Sequence, residues 1–475
     1  MNDRQGLPAG LLATAAWQER LDAAVARHRV PGCQVGVLAL DDEGGVEVRV
    51  LASGLTSLDT GVEVTADALF QYGSISKVWT TTLVMQLVDE GRLTLDTRVV
   101  DVLPEFALAE AGHAEAITVR QLLTHTSGID GDVFTDTGDG DDCVAKYVEA
   151  LAEAGSTTRP DGPLSYCNAG FVLAGRIVEV LRGTTWDEAV ATHVVGKLGT
   201  RHAVTRPAQA LLFRAAVGHL PDRSDPERPV APAPVWTLPR SVGPAGLITG
   251  SADALLRFAA AHLRDGVTPT GERLLSAESA RAMRTPQVDL TARSTVDNAW
   301  GLGWILTDWA GPDGPVRAAQ HGGHTIGQHA KLHAFPELGI AVCVLTNSDD
   351  GAGLVEELLA LVGEELGLRY PTPLVDRDAE PAVLDEMLGV YETVLARYTL
   401  FRDDEGGVSA KMARKSPLGG EDELVEPPTP VRPAGRGRFV SVINGADTEF
   451  TRVVDGEDEY LYMYRLFRKV SAPTA

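Results

Sequence analysis

Residues 78–88 read Val-Trp-Thr-Thr-Thr-Leu-Val-Met-Gln-Leu-Val, apolar on nearly every side. A helix of this kind has no face to give to water, so it must run through the middle of a large core. Gly91 is a natural stop for it. At 475 residues the chain is long enough to build such a core, and its length suggests two or three domains.

The helix is introduced by Phe70-Gln71-Tyr72-Gly73-Ser74-Ile75-Ser76-Lys77. Ser74 and Lys77 are three residues apart at its start, so they share one face, one turn apart. A helix N-terminus offers free backbone N–H groups and the positive end of its dipole. A serine placed there has a donor for a developing oxyanion, and the amine beside it can take its proton. This is the S-x-x-K arrangement of serine acyl transfer. The chain holds seven lysines against 35 arginines, and none of the other six lysines has a serine three residues before it. The competing account of this fragment alone is a capped helix with a surface lysine.

Composition narrows the partners. A net charge of -24 leaves nothing resembling a basic patch for nucleic acid or for an anionic membrane surface. The four cysteines, Cys33, Cys143, Cys167 and Cys343, are scattered with no Cys/His spacing that suggests a metal, and free thiols in a reducing compartment account for them. The first residues lack a basic segment followed by an apolar core, and no stretch has the length and apolarity of a membrane span. The expectation is a cytoplasmic protein that uses no metal or cofactor.

Residues 15–29 have the spacing of an amphipathic helix, and 33–40 and 46–52 that of strands joined by Gly44-Gly45. Residues 117–128 predict a short helix and turn, 138–142 an exposed acidic loop, and 171–178 a further helix. Residues 207–244 hold eight of the 27 prolines, with Trp236 among them, which marks a functional loop or disorder. Helices follow at 251–264 and 276–284. A strand series then starts at Trp300–Leu306 and continues through 318–324 and 340–345, before a helix at 353–366. Strands at both ends with helices between predict one α/β domain whose sheet uses both ends of the region. Residues 371–381 read as a linker. Beyond it, short alternating runs are broken by turn signals at Asp403–Gly407, Asn444-Gly445 and Asp455-Gly456, which predicts an all-β barrel or sandwich. The boundaries expected are 1–368, a linker at 369–382, and 383–475.

Acyl transfer through serine also needs a proton donor for the leaving group and oxyanion donors. Tyr166-Cys167-Asn168 supplies a phenol and an amide ahead of a helix; Asn168 can bind a substrate carbonyl or fix Lys77. His321-Gly322-Gly323 sits at the end of a predicted strand, where two glycines let a substrate backbone approach the strand edge. The N–H of His324, just past Gly323, is the second candidate oxyanion donor. Taken singly, Tyr166 and His321 are better explained as packing residues. However, S-x-x-K, Y-x-N and H-x-G each occur once in the chain, in that order.

That order and spacing resemble the S-x-x-K acyl-enzyme superfamily of class C β-lactamases, DD-peptidases and related esterases and D-aminopeptidases. The flanking stretches Ile117–Gly128 and Gly243–Leu247 are similar to that family too. The resemblance covers residues 15–365. It implies an antiparallel sheet flanked by helices, with an all-helical subdomain. It also implies Ser74 as nucleophile, Lys77 and Tyr166 as the base system, Asn168 as a substrate contact, and His321 on the inner strand edge. The β-lactamases usually carry Lys where this chain has His321, so the resemblance points to the esterase, amidase and peptidase branches.

A β-lactamase-like domain followed by a small lipocalin-like domain resembles the stand-alone penicillin-binding-protein-type thioesterases. These take nonribosomal peptides from carrier proteins and cyclise them head to tail. The resemblance implies a peptide substrate presented as a carrier-protein thioester. In the last predicted strand, Leu461, Met463, Arg465 and Phe467 share one parity. A lone Arg465 on the apolar parity either sits on a solvated rim or reaches toward the active site to hold a substrate carbonyl or carboxylate. The expected function is release of the peptide from Ser74 by its own amine. A hydrolase using water at the same residues is the alternative, and a peptide-binding module is a third.

Overall fold

The computed structural model describes residues 6–42, 44–222, 230–373, 381–415, 423–425, 427–435, 438–443 and 446–471. Its centre is an eight-stranded antiparallel sheet in the order Val46–Gly54, Gly32–Leu40, Ile340–Thr346, Gln328–Phe335, Gly314–Thr325, Ile305–Gly311, Asp297–Trp300, Val288–Asp289. The early and late strands meet as expected, with Gln34 opposite Leu345. Gly32–Leu40 is buried along its whole length because both faces are covered. Val35 and Val37 pack with the helices Ala15–His28 and Ala352–Glu365, while Leu38 and Leu40 join the core around the Ser74 helix.

That helix, Ser76–Asp89, is buried from Ser76 to Leu87, as its all-round apolarity requires. Trp79 stacks on Phe258 of the helix Ala252–Leu263, with ring centroids 4.1 Å apart. The helix ends at Glu90, and Gly91 follows in the left-handed region at φ 67°, a conformation glycine adopts without cost. The helical layer around it includes Asn168–Arg182, whose Phe171, Val172 and Ile177 lie in the same core. The Pro-rich stretch forms a short antiparallel pair, with His219 opposite Pro232; residues 223–229 within it lie outside the described residues. No helix among the described residues is long and apolar enough to cross a membrane.

After residue 388 the chain forms a nearly closed antiparallel barrel of the lipocalin-like kind. Among the described residues, nine strands pair in succession and a tenth lies off that path. Thr429–Pro430 pairs with Val408–Lys415, and Arg432–Gly435, just after it, pairs with Arg438–Ile443, so one segment links the two ends of the path. Closure of this kind removes exposed edges. Turns occur where expected at Asp403–Gly407 and Asp455-Gly456, with Gly406 and Gly456 at positive φ. The Asn444-Gly445 turn and residues 374–380 of the expected linker lie outside the described residues.

Three sequence expectations need correction. Trp300–Leu306 is not one strand. It breaks at Gly301–Trp304, where Gly303 takes φ 72° and a Cβ would meet Thr81 Oγ1 at 2.4 Å. The strand Gln328–Phe335 was not expected. Finally, Leu461 and Phe467 do not lie on one strand. The chain reverses at Tyr464, at φ 59°, pairing Met463 with Arg465 across a tight hairpin. Residues paired across a hairpin share a face, so Met463 and Arg465 still lie on the side of Leu461 and Phe467, with Arg465 at the tip of that apolar face.

Candidate active site

Ser74 lies in a single helical turn, Gly73–Ile75, that leads into the buried helix. Gly73 is at φ 53°, and a Cβ on it would meet His324 N at 2.8 Å. A Cβ on Gly323 would sit 1.9 Å from the Tyr72 carbonyl oxygen and 3.0 Å from Ser74 N. These two glycines let the motif strand Gly314–Thr325 press its backbone against the turn that carries Ser74. The backbone that approaches Gly323 so closely is thus the chain's own. The amides of Ser74 and His324 are brought to the same place, the arrangement an oxyanion hole needs.

Lys77 Nζ lies 3.0 Å from Ser74 Oγ and donates to the Ala245 carbonyl at 2.7 Å. The side chain is fully buried. Burial drives its pKa well below the ordinary lysine value, the Arg465 charge lowers it further, and Asp132 pulls the other way. The lowered pKa favours the neutral amine, the form that can take a proton from a serine hydroxyl. Its amine also lies over the Tyr166 ring, 4.8 Å from the centroid.

Tyr166 is held from three sides. His125 stacks on it at 4.2 Å, Trp300 meets it edge-on at 5.9 Å, and the Arg465 guanidinium lies 4.9 Å from its centroid. Its hydroxyl is buried without a hydrogen-bond partner among the described residues. Burial raises the phenol's pKa, against the lowering influence of the Ser74 hydroxyl beside it and of Arg465. His125 accepts from the Cys167 N–H at 2.9 Å through Nδ1. Burial and the nearby Lys77 keep its ring neutral.

The barrel supplies part of this site. Tyr166 N donates to the Tyr464 carbonyl at 2.6 Å, and Leu466 N donates to Ser165 Oγ at 3.1 Å. The tip of the hairpin therefore grips the segment that carries Tyr166. Behind it, Leu164, Trp300, Ile305, Tyr460, Tyr462 and Leu466 form an apolar cluster that joins the two modules.

Arg465 does reach the site, but its head pairs with Asp132, donating through both Nε and Nη2, the latter at 3.0 Å. Asn168 Nδ2 donates to the same carboxylate at 2.7 Å. The Asn168 amide is thus committed to Asp132 and not to Lys77. His321 is buried, with its Nδ1 donating to the Gly322 carbonyl at 2.6 Å. Burial, then the Lys77 charge, pull its pKa down to about 3, so it is a neutral ring 6.4 Å from Tyr166. The His324 side chain points away, to Asp349 at 2.8 Å. Trp236 is tied beside the site: its carbonyl accepts from Gln71 and its indole donates to Ala216 at 2.9 Å. Its indole makes no contact with Ser74 or Lys77 among the described interactions.

Asp132 and His125 are the site-lining residues that no sequence signal singles out. His125 lies within the Ile117–Gly128 stretch that resembles the family. Asp132 is recognisable only through its partners Asn168 and Arg465, the latter more than 300 positions away.

The family model for beta-lactamase matches residues 17–366. The chain belongs to the beta-lactamase family. Penicillin-binding protein 4 of Amycolatopsis lactamdurans is 45% identical over 384 residues, spanning 80% of this chain and 97% of that protein. The solved structure of SurE superposes with a TM-score of 0.70 at 26% identity, covering 96% of this chain and 98% of that one, barrel included. A D-amino acid amidase from Ochrobactrum anthropi SV3, solved with L-phenylalanine amide, has a TM-score of 0.58 at 21% identity, over 74% of this chain and 97% of its own. That likeness is one of fold.

Proposed function

We propose that this serine enzyme takes a peptidyl thioester onto Ser74 and releases it by attack of the peptide's own amine, as a head-to-tail cyclic peptide. The observation that carries the acyl-transfer half is the buried, neutral-leaning Lys77 amine 3.0 Å from Ser74 Oγ. Lys77 takes the serine proton as Oγ attacks the thioester carbonyl, and the thiolate leaves. The oxyanion rests on the amides of Ser74 and His324. Tyr166, its hydroxyl unpartnered beside Ser74, relays the proton from the incoming amine during release. Asn168, held by Asp132, contacts the substrate, and Trp236, tied to Gln71 and Ala216, stands to one side of the site. No metal or cofactor enters these steps.

Cyclisation requires that an amine within the acyl chain beat water, which a dry pocket that holds the chain curled achieves through effective concentration. The barrel supports this reading, because its hairpin tip brings Arg465 over Tyr166. The likeness to SurE over both modules supports it as well. A carrier protein as donor of the thioester is part of the same proposal.

The test is a linear peptide thioester ending in a D-residue, followed by intact-protein mass and product analysis. A Ser74-dependent adduct that yields cyclic peptide is the expected result. Linear acid alone makes the protein a hydrolase at the same residues. No adduct with any activated ester overturns the acyl-enzyme.

A further inference from the structure

Three consecutive amides around Tyr166 are all engaged, and His125 holds two of them. The Ser165 N–H donates to the His125 carbonyl at 2.9 Å, the Tyr166 N–H to the Tyr464 carbonyl at 2.6 Å, and the Cys167 N–H to His125 Nδ1 at 2.9 Å. One residue, just past the helix Val119–Leu123, therefore brackets Tyr166 on both sides along the chain. Its imidazole also stacks on the phenol ring, with centroids 4.2 Å apart. The imidazole is fully buried, walled in by Phe171 at 5.0 Å and edge-on by Trp300 at 4.7 Å.

Two costs meet at His125. Its φ is 57°, in the left-handed region that residues other than glycine seldom adopt. Acceptance at Nδ1 puts the proton of the neutral ring on Nε2, and that N–H is buried without a partner among the described residues. An unsatisfied buried donor is destabilising, and strained backbone persists where the surrounding structure over-determines it, often at functional sites. A proton on Nδ1 would meet the Cys167 N–H donor to donor, so the tautomer is fixed by the grip itself. A ring that merely fills space needs neither the acceptor nor the left-handed backbone.

We propose that His125 is a positioning residue for Tyr166: its Nδ1 and carbonyl fix the backbone on either side, and so hold the phenol in place against Lys77. This rests on the reading of Tyr166 as the proton relay, and holds whether amine or water receives the acyl group.

Two variants separate the acceptor from the ring. His125→Asn keeps an acceptor bonded to Cγ, and asparagine tolerates the left-handed backbone. His125→Phe keeps a stacked ring and gives up the acceptor. The full chain is loaded with a linear peptide thioester, and decay of the Ser74 acyl-enzyme is followed by intact-protein mass. His125→Phe is expected to slow that decay at least about tenfold. In a Tyr166→Phe background the same substitution is expected to change it less than about twofold, because no hydroxyl remains to be placed. His125→Asn is expected to stay within about threefold of the parent. Equal losses from His125→Phe in both backgrounds overturn the proposal, since a purely structural role is indifferent to the phenol hydroxyl. A His125→Asn protein as slow as His125→Phe overturns it too. Tyr166→Phe at the parental rate overturns the relay reading, and the proposal falls with it. Labelled-nitrogen NMR of the parent protein needs no variant that might fail to fold. His125 is expected to carry its proton on Nε2, and a proton on Nδ1 overturns the grip.

Discussion

Replacing Gly323 by alanine tests the oxyanion geometry directly. The new Cβ lands 1.9 Å from the Tyr72 carbonyl oxygen, 2.8 Å from its carbon and 3.0 Å from Ser74 N. Reaching ordinary van der Waals separation demands a movement of about 1.5 Å. All three atoms are backbone, so no side-chain rotation relieves the clash. The motif strand must withdraw from the Ser74 turn, taking the His324 amide with it. Loss of one such donor costs about 2.7–4 kcal/mol in the barrier, roughly 10²- to 10³-fold in rate, and a misplacement of about 1 Å is by itself worth about 10²-fold. Gly322→Ala is the internal control. Its Cβ meets Lys331 Cδ at 3.4 Å, Nζ at 3.5 Å and the Ala330 carbonyl oxygen at 3.8 Å, all ordinary contacts. Acylation rates on an activated ester, followed by intact-protein mass, should fall at least ~10²-fold for Gly323→Ala and stay within a few-fold for Gly322→Ala. Thermal melting confirms that both variants fold. A Gly323→Ala protein that acylates within threefold of the parent would refute the placement of the second donor.

Ser74→Ala should abolish the covalent adduct while moving stability by less than about 1 kcal/mol, because the side chain is only half-buried; a persisting adduct would point to another nucleophile. Arg465→Met should move the acidic limb of the acylation pH profile upward. Arg465 lowers the Lys77 pKa and its partner Asp132 raises it, so removing the arginine leaves Lys77 protonated to higher pH and the base unavailable there; an unmoved or downward-shifted limb contradicts this. Phe258→Ala should cost about 3–5 kcal/mol in denaturant unfolding, since it removes the ring stacked on Trp79 in a closed core; a loss under 1 kcal/mol would mean the helix is not held there.

The parts of the site that are local in sequence were the legible ones. Ser74 and Lys77 sit one helical turn apart, so spacing alone brings them together, and the apolar run behind them dictates burial. The strand Gln328–Phe335 was hidden by its own composition. Lys331 and His333 stand where a half-buried strand usually shows either hydrophobics or water-facing polars, and here they line a polar cavity. The reversal at Tyr464 was hidden for another reason. Hairpins of this tightness normally show Gly, Asn or Asp, and here a tyrosine takes the left-handed conformation. Docking of the tip, through the Tyr166 N–H, Ser165 and Asp132, holds it in place. Asp132 was unreadable because its meaning lies wholly in partners distant along the chain. Arg465 was picked out for its odd place on the apolar parity, which the hairpin register preserves, and from there it lies over Tyr166.

The hairpin tip also sets an order of events. Domains form largely from the N-terminal end during synthesis. Ser74, Lys77 and the helix beneath them belong to contacts made within the first 350 residues, whereas the grip on Tyr166 arrives with residues 464–466. Until those residues dock, Ser74 and Lys77 sit in a scaffold in which Tyr166 lacks its clasp. A half-made chain therefore carries that pair before the third residue of the site is held in place. Exchange of the barrel for another of the same fold would fail unless the three tip residues travelled with it.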